Sequence, residues 1–230
     1  MNDKLRLLVG IIAIGSIWGM LECILGAIHL TGPLADFPMG ALLGGFVGIG
    51  LMVLTRRYFG VPGMQFAMAA VAGVLRAWAP IGTCVVCSAL AIVAEGLVFE
   101  IIYKSKIFDL YEGRSGSQAA ALGVAALIPL GIVSGYVVYV TGYMFTQIAT
   151  PIVTTGIFTP ADFMSVLPLI LGRGLFACVF GAVSVPLAAM APLPKFDIYK
   201  VGAKPYLGAA TIITAVCWIV VLALFLPRLL

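Results

Sequence analysis

Histidine occurs once in 230 residues, as His29, and charged side chains make up only 10% of the chain. A single histidine excludes a b-type haem held by two imidazoles. The sequence also lacks the H-E-x-x-H, G-x-S-x-G and Walker A patterns, so it offers no metalloprotease helix, no hydrolase nucleophile elbow and no phosphate-cradling loop for ATP. The formal net charge is +4 and the pI near 8.9. Nucleic acid is nevertheless excluded as a partner, because a nucleic-acid binder needs a clustered basic face and these basic residues are scattered between apolar runs.

What fills the chain instead is hydrocarbon: 63% hydrophobic residues and a mean hydropathy of +1.18, against a charged share of roughly 25% in soluble proteins. A bilayer core of about 30 Å takes about 20 apolar residues per helix. The expected fold is therefore an all-α integral membrane protein, a bundle of six to seven transmembrane helices making one domain over residues 1–230. Apolar runs and their breakers place helices at about 5–28, 38–55, 62–79, 82–103, 118–147, 164–190 and 207–227. The first is read as a retained helix, since no A-x-A-like cleavage site ends it and Glu22 and Cys23 lie inside it. The fifth is long enough to tilt, or to bend near Pro129 and Gly131.

Lys4 and Arg6, Arg56 and Arg57, Lys104, Lys106 and Arg114, then Lys195, Lys200 and Lys204 fall on alternate connections, while the opposite ones carry Asp36 and Asp162. By the positive-inside rule this sets the N-terminus in the cytoplasm. Seven spans then leave the C-terminus outside, with 28–38 and 148–163 as outer loops able to cover a site. The 27 glycines include small-xxx-small pairs such as Gly15 with Gly19 and Gly44 with Gly48, which let backbones approach closely, within the bundle or against a partner subunit.

Charges near the bilayer centre are costly and mark functional candidates. Five lie in or near spans: Glu22, Arg76, Glu95, Glu100 and Arg173. Counted at 1.5 Å per residue, Glu22, Arg76 and Arg173 share the outer half, Glu95 lies at or below the middle, and Glu100 nears the inner surface, where Lys104 is one turn away. The arginines present planar forks suited to carboxylate or phosphate, and Glu22 suits an arginine or an amine. The alternative is a structural Glu–Arg pair between helices. His29 is read as an interfacial residue. Trp18, Phe37, Trp78, Phe163 and Phe176 form either an interfacial belt or an apolar wall for a ligand.

Cys84 and Cys87 make a C-x-x-C that opens the fourth helix on its outer side, where the helix dipole favours a thiolate. Over about ten residues this segment resembles the vitamin K epoxide reductase and disulfide-bond-forming membrane oxidoreductases. Those families add a second, loop-borne cysteine pair, whereas Cys23, Cys178 and Cys217 here lie in apolar spans. Redox, metal-binding and structural roles all remain open for the pair. No metal ligand set and no cofactor is called for by the spacing.

Over residues 1–105 the chain resembles the substrate-binding S components of energy-coupling-factor (ECF) transporters. The resemblance lies in the small-residue face around Ala13, Gly15 and Gly19, in the stretch Phe37-Pro-Met-Gly-Ala-Leu-Leu-Gly-Gly-Phe-Val-Gly48, and in the helix hairpin from Val61 to Tyr103. It implies a multi-pass protein of a prokaryotic plasma membrane, without enzymatic activity of its own. Such a protein captures a small solute from outside, whether vitamin-like, anionic or a metal ion, and docks to other membrane subunits and an ATPase module. By the same resemblance Glu22, Arg76, Cys84, Cys87 and Arg173 line the substrate pocket, while Ala13, Gly15 and Gly19 face the coupling subunit. S components usually have six helices, so a seventh is a departure. The competing expectations are a membrane thiol–disulfide oxidoreductase working through Cys84 and Cys87, and a structural anchor subunit of a larger complex.

Overall fold

The computed structural model describes residues 3–28, 37–79, 85–103, 117–191 and 201–225, with backbone alone over 117–124. These residues form helices and no strand. In chain order they are α1 (Asp3–Gly26), α2 (Met39–Phe59), α3 (Met64–Arg76), α4 (Val85–Ile102), α5 (Ser117–Thr155), α6 (Pro160–Met190) and α7 (Ala203–Phe225). All but α3 are long and apolar enough to cross a membrane, and the chain is an all-α, multi-pass membrane bundle.

Two elements depart from the sequence expectation. The third span is shorter, 13 residues or about 20 Å of helix. Its start is set by a turn in which Gly60 and Gly63 both adopt positive φ, 63° and 83°, a region that side-chain-bearing residues avoid. The segment 148–163 is mainly helix rather than loop: α5 runs on to Thr155, Gly156 turns at φ 74°, and α6 starts at once with Pro160 in its first turn, where a proline's missing N–H costs nothing. At 39 residues, α5 exceeds any bilayer core, so the α5–α6 hairpin stands beyond its neighbours.

Helix neighbours follow a closed circuit: α1 packs on α3, α3 on α4, α4 on α5, α5 on α6, α6 on α2, and α2 back on α1. The seventh helix lies outside this six-membered ring, chiefly against α1. Three polar contacts pin it there: Arg6 Nη1 donates to the Val201 carbonyl at 2.8 Å, Tyr206 Oη to the Arg6 carbonyl at 2.9 Å, and Trp218 Nε1 to Ser16 Oγ at 3.1 Å. Its other faces are apolar and exposed, as at Ile212 and Ile219, and suit hydrocarbon.

Glycine sets the helix spacing, because helices in lipid gain little from hydrophobic exclusion and must pack by close approach. A Cβ added at Gly131, Gly135 or Gly181 would run into the backbone across the α5–α6 contact. Gly15 and Gly19 do the same job between α1 and α3: a Cβ there would come to 2.7 Å of the Met68 carbonyl and 2.9 Å of the Ala72 carbonyl. Ala13 is buried as well. The small-residue face of α1 is therefore spent on contacts within the chain, and does not form an open docking surface in this structure.

At one end of the bundle the basic residues act as ties. Arg56 on α2 pairs with Glu100 on α4 at 3.3 Å, the one ion pair among the described residues. The other Glu100 oxygen accepts the Gln65 backbone N–H at 2.9 Å. Glu100 thus pairs across helices; Lys104, one turn on in the sequence, lies outside the described residues. Arg57 donates to the Ala188 and Ala191 carbonyls at 2.7 and 3.1 Å, closing the C-terminus of α6 where unsatisfied carbonyls favour a cation. Arg6, Arg56 and Arg57 so gather at one end, as the alternation of basic connections requires.

Replacing Gly181 with Val should destabilise the bundle by about 1–3 kcal/mol, the usual cost of overpacking, and lower its thermal midpoint in detergent. Gly172→Ala, with nothing within 4 Å of the added carbon, should leave the midpoint unchanged. Equal shifts for the two variants would contradict the packing described.

Candidate functional site

A cavity of about 250 Å³ lies within the ring, walled by α1 to α5. Each helix contributes one stripe at helical spacing. Glu22 and Gly26 come from α1; Ser88, Ala91, Ile92 and Glu95 from α4; Tyr139, Gly142, Tyr143 and Thr146 from α5. The last two sets follow i, i+3, i+4, i+7, the spacing that puts residues on one face. From α3 comes Arg76, and from α2 the turn around Gly40, Leu43 and Gly44.

Helix α2 is π-helical over Leu43–Gly48, beside this cavity. The wider turn fits residues that cannot hold a tight helix by side-chain packing, and π-segments recur at functional sites. Local contacts are close on both sides: a Cβ at Gly45 would sit 3.1 Å from the Ala177 carbonyl, and one at Gly48 would sit 3.1 Å from the Trp18 ring. The glycines therefore let α2 thread between α1 and α6 while Gly44 faces inward.

The charged groups are held differently. Glu22 Oε1 accepts Trp18 Nε1–H from one turn earlier at 3.1 Å. Arg76 Nη1 donates to the Ala79 carbonyl at 2.7 Å, closing the turn after α3. Glu95, only 9% exposed, has its carboxylate between two glycines: a Cβ would come within 3.2 Å of Oε1 from Gly44 and 2.6 Å from Gly142. Counted from Val85, Glu95 lies about 15 Å along α4, near mid-membrane. The Tyr139 and Tyr143 rings stack at 5.7 Å and 11° along the α5 wall.

Of the residues expected at a site, Glu22 and Arg76 meet in this cavity. Arg173 does not line it but reaches the hydroxyl of Tyr143, a lining residue, at 3.4 Å. Helix α6 is thus behind the wall, and α2 and α5 take its place. Cys87 is buried and disulfide-bonded, next to the lining Ser88 but not itself in the lining. Cys84 and His29 lie outside the described residues. Cys23, Cys178 and Cys217 are free thiols, and no group of three or more His, Cys, Asp or Glu is placed to hold a metal ion among the described residues.

The aromatic residues expected at the outer ends do not wall the site. Trp18 is wholly buried in the bundle, Phe37 packs on Phe180 and Phe163 on Phe158, and Trp78 and Phe176 are about half exposed. The cavity's rings are tyrosines instead. Glu95, a functional candidate by its place in a span but not counted among the pocket residues, lines the cavity; Tyr139, Tyr143 and Thr146 were missed, although the 139–142–143–146 stripe is readable in the sequence as a polar face on an otherwise apolar span. No protein-family model, curated protein or solved structure matches this chain.

Alkylation of the unfolded protein should leave Cys87 unmodified until a reductant is added, with Cys23, Cys178 and Cys217 modified from the start, as read by peptide mass spectrometry. Modification of Cys87 before reduction would contradict the disulfide.

Proposed function

We propose that this chain is the solute-capturing subunit of a membrane importer. It takes a small, vitamin-sized solute from the outer side of a prokaryotic plasma membrane, with its N-terminus in the cytoplasm. The observation that carries this reading is the polar cavity itself: Glu22, Arg76 and Glu95 come from three different helices to one space of about 250 Å³. A structural charge pair between helices needs no such space, and an anchor subunit needs no cavity. At about 30 Å³ per water, the volume takes roughly eight water-sized groups, the scale of a small metabolite.

The resemblance to ECF S components fits this arrangement, because the six-helix ring holds the cavity and the additional α7 packs outside it. Energy for transport would come from a separate ATPase module, the sequence having no nucleotide-binding motif of its own. Docking to that module would use faces other than Gly15 and Gly19, which α3 covers.

A second reading keeps one specific observation. The oxidised state of Cys87 is what a membrane thiol–disulfide oxidoreductase would show at rest. Cys87 is buried and is not among the residues that line the cavity, which favours solute capture as the use of the cavity.

Gly142→Ala separates the two. Its added carbon meets only the flexible Glu95 side chain, from Cγ to Oε1, so the fold should persist while Glu95 shifts and the cavity changes shape. Protein purified without added ligand should release a near-stoichiometric small molecule on denaturation, identified by mass spectrometry. Gly142→Ala should reduce that yield at least about tenfold, a loss of roughly 1.4 kcal/mol in binding, and Cys87→Ser should retain it. A bound quinone, or a solute lost only with Cys87→Ser, would move the function to the cysteine.

A further inference from the structure

We propose that the solute is a small organic cation whose ammonium group sits against Glu95. This rests on the solute-capture reading and names the substrate class of the same cavity.

Two carboxyl side chains and one guanidinium line the space, so acidic groups outnumber basic ones there. Glu22 is supplied with a donor by Trp18, and the Arg76 guanidinium donates to Ala79. Glu95 is different. It is nine-tenths buried, it lines the cavity, and among the described residues it has no hydrogen-bond donor or ion-pair partner. An isolated carboxylate in an apolar medium is strongly unfavourable unless a cation or donor completes it. The described residues supply none, and between Gly44 and Gly142 the carboxyl group borders the cavity.

The rest of the wall suits an organic cation better than the alternatives. Tyr139 and Tyr143 present stacked rings on α5, and aromatic faces attract ammonium groups, alkylated ones included. A metal ion asks for three or four ligands, and the described residues hold no group of three His, Cys, Asp or Glu. An anion would have to approach two carboxylates, the unpaired-charge arrangement by which sites reject a ligand.

The test uses the full chain in lipid nanodiscs, with empty nanodiscs as control, and ligand-observed saturation-transfer NMR. The probes are a matched set of similar size: 3-amino-1-propanol as the cation, 1,3-propanediol as the neutral form, 3-hydroxypropanoate as the anion. Tetramethylammonium is added as a further probe, and zinc chloride, which has no protons to observe, is titrated separately by calorimetry. The ammonium probes should bind at least about tenfold more tightly than the neutral and anionic ones, the scale of one desolvated charge contact. In Glu95→Gln, which keeps the shape and removes the charge, that preference should fall to near unity. Monodisperse elution of this variant, together with retained binding of the diol, would show that the fold is intact. Preference for the anion, binding of zinc alone, or an ammonium preference that survives Glu95→Gln would overturn the cation assignment and leave solute capture standing. Failure of every probe to bind, with no solute released from purified protein, would overturn both.

Discussion

A carboxylate carried into hydrocarbon has no water to return to, and the arrangement of this bundle follows from where it puts its charges. Arg56 and Glu100 settle each other at 3.3 Å near one end, and Arg57 settles on the terminal carbonyls of α6. Glu22, Arg76 and Glu95 are instead collected around a space. Leaving Glu95 without a donor among the described residues costs stability and gives the cavity its chemical character.

Close backbone packing makes that space possible. With α5 and α6 in contact through Gly131, Gly135 and Gly181, and α1 and α3 through Gly15 and Gly19, the ring is tight on most of its circumference. The cavity lies beside the π-helical turn of α2, where Gly44 meets Glu95 and Gly48 meets Trp18. Interiors are otherwise packed to the density of organic crystals, so an internal void of this size lined by charge is a constructed feature of the fold. The peripheral position of α7 leaves this ring undisturbed.

Most of the fold was legible in the sequence, because apolar run length and the alternation of basic connections both act over many residues. Two boundaries were misjudged for local reasons: the glycine turn at Gly60 and Gly63 shortens α3, and Gly156 compresses an apparent loop into a sharp turn between two long helices. At the site, depth counting correctly grouped Glu22 with Arg76. It set Glu95 apart, at or below the middle, since a one-dimensional count cannot show that α4 brings Ser88 and Glu95 to the same cavity. Arg173 looked equivalent to Arg76 by depth, yet its helix faces the cavity only through Tyr143. The use of Gly15 and Gly19 on α3 was equally hidden, since small residues look alike whether they pack inside the chain or against a partner.

In the proposed importer subunit the cavity is open to solute from the outer side. Thr146 lines it, one helical turn beyond Gly142, to whose carbonyl its hydroxyl donates at 3.1 Å, and cysteine is close to threonine in size. With Cys23, Cys178 and Cys217 replaced by serine or alanine, Thr146→Cys should react in intact cells with a membrane-impermeant thiosulfonate added outside. The reaction should be faster with the cationic reagent than with the anionic one, as focusing of a negative cavity requires. Reaction only from the cytoplasmic side of inverted vesicles, or no reaction from either side, would contradict an outward-facing cavity.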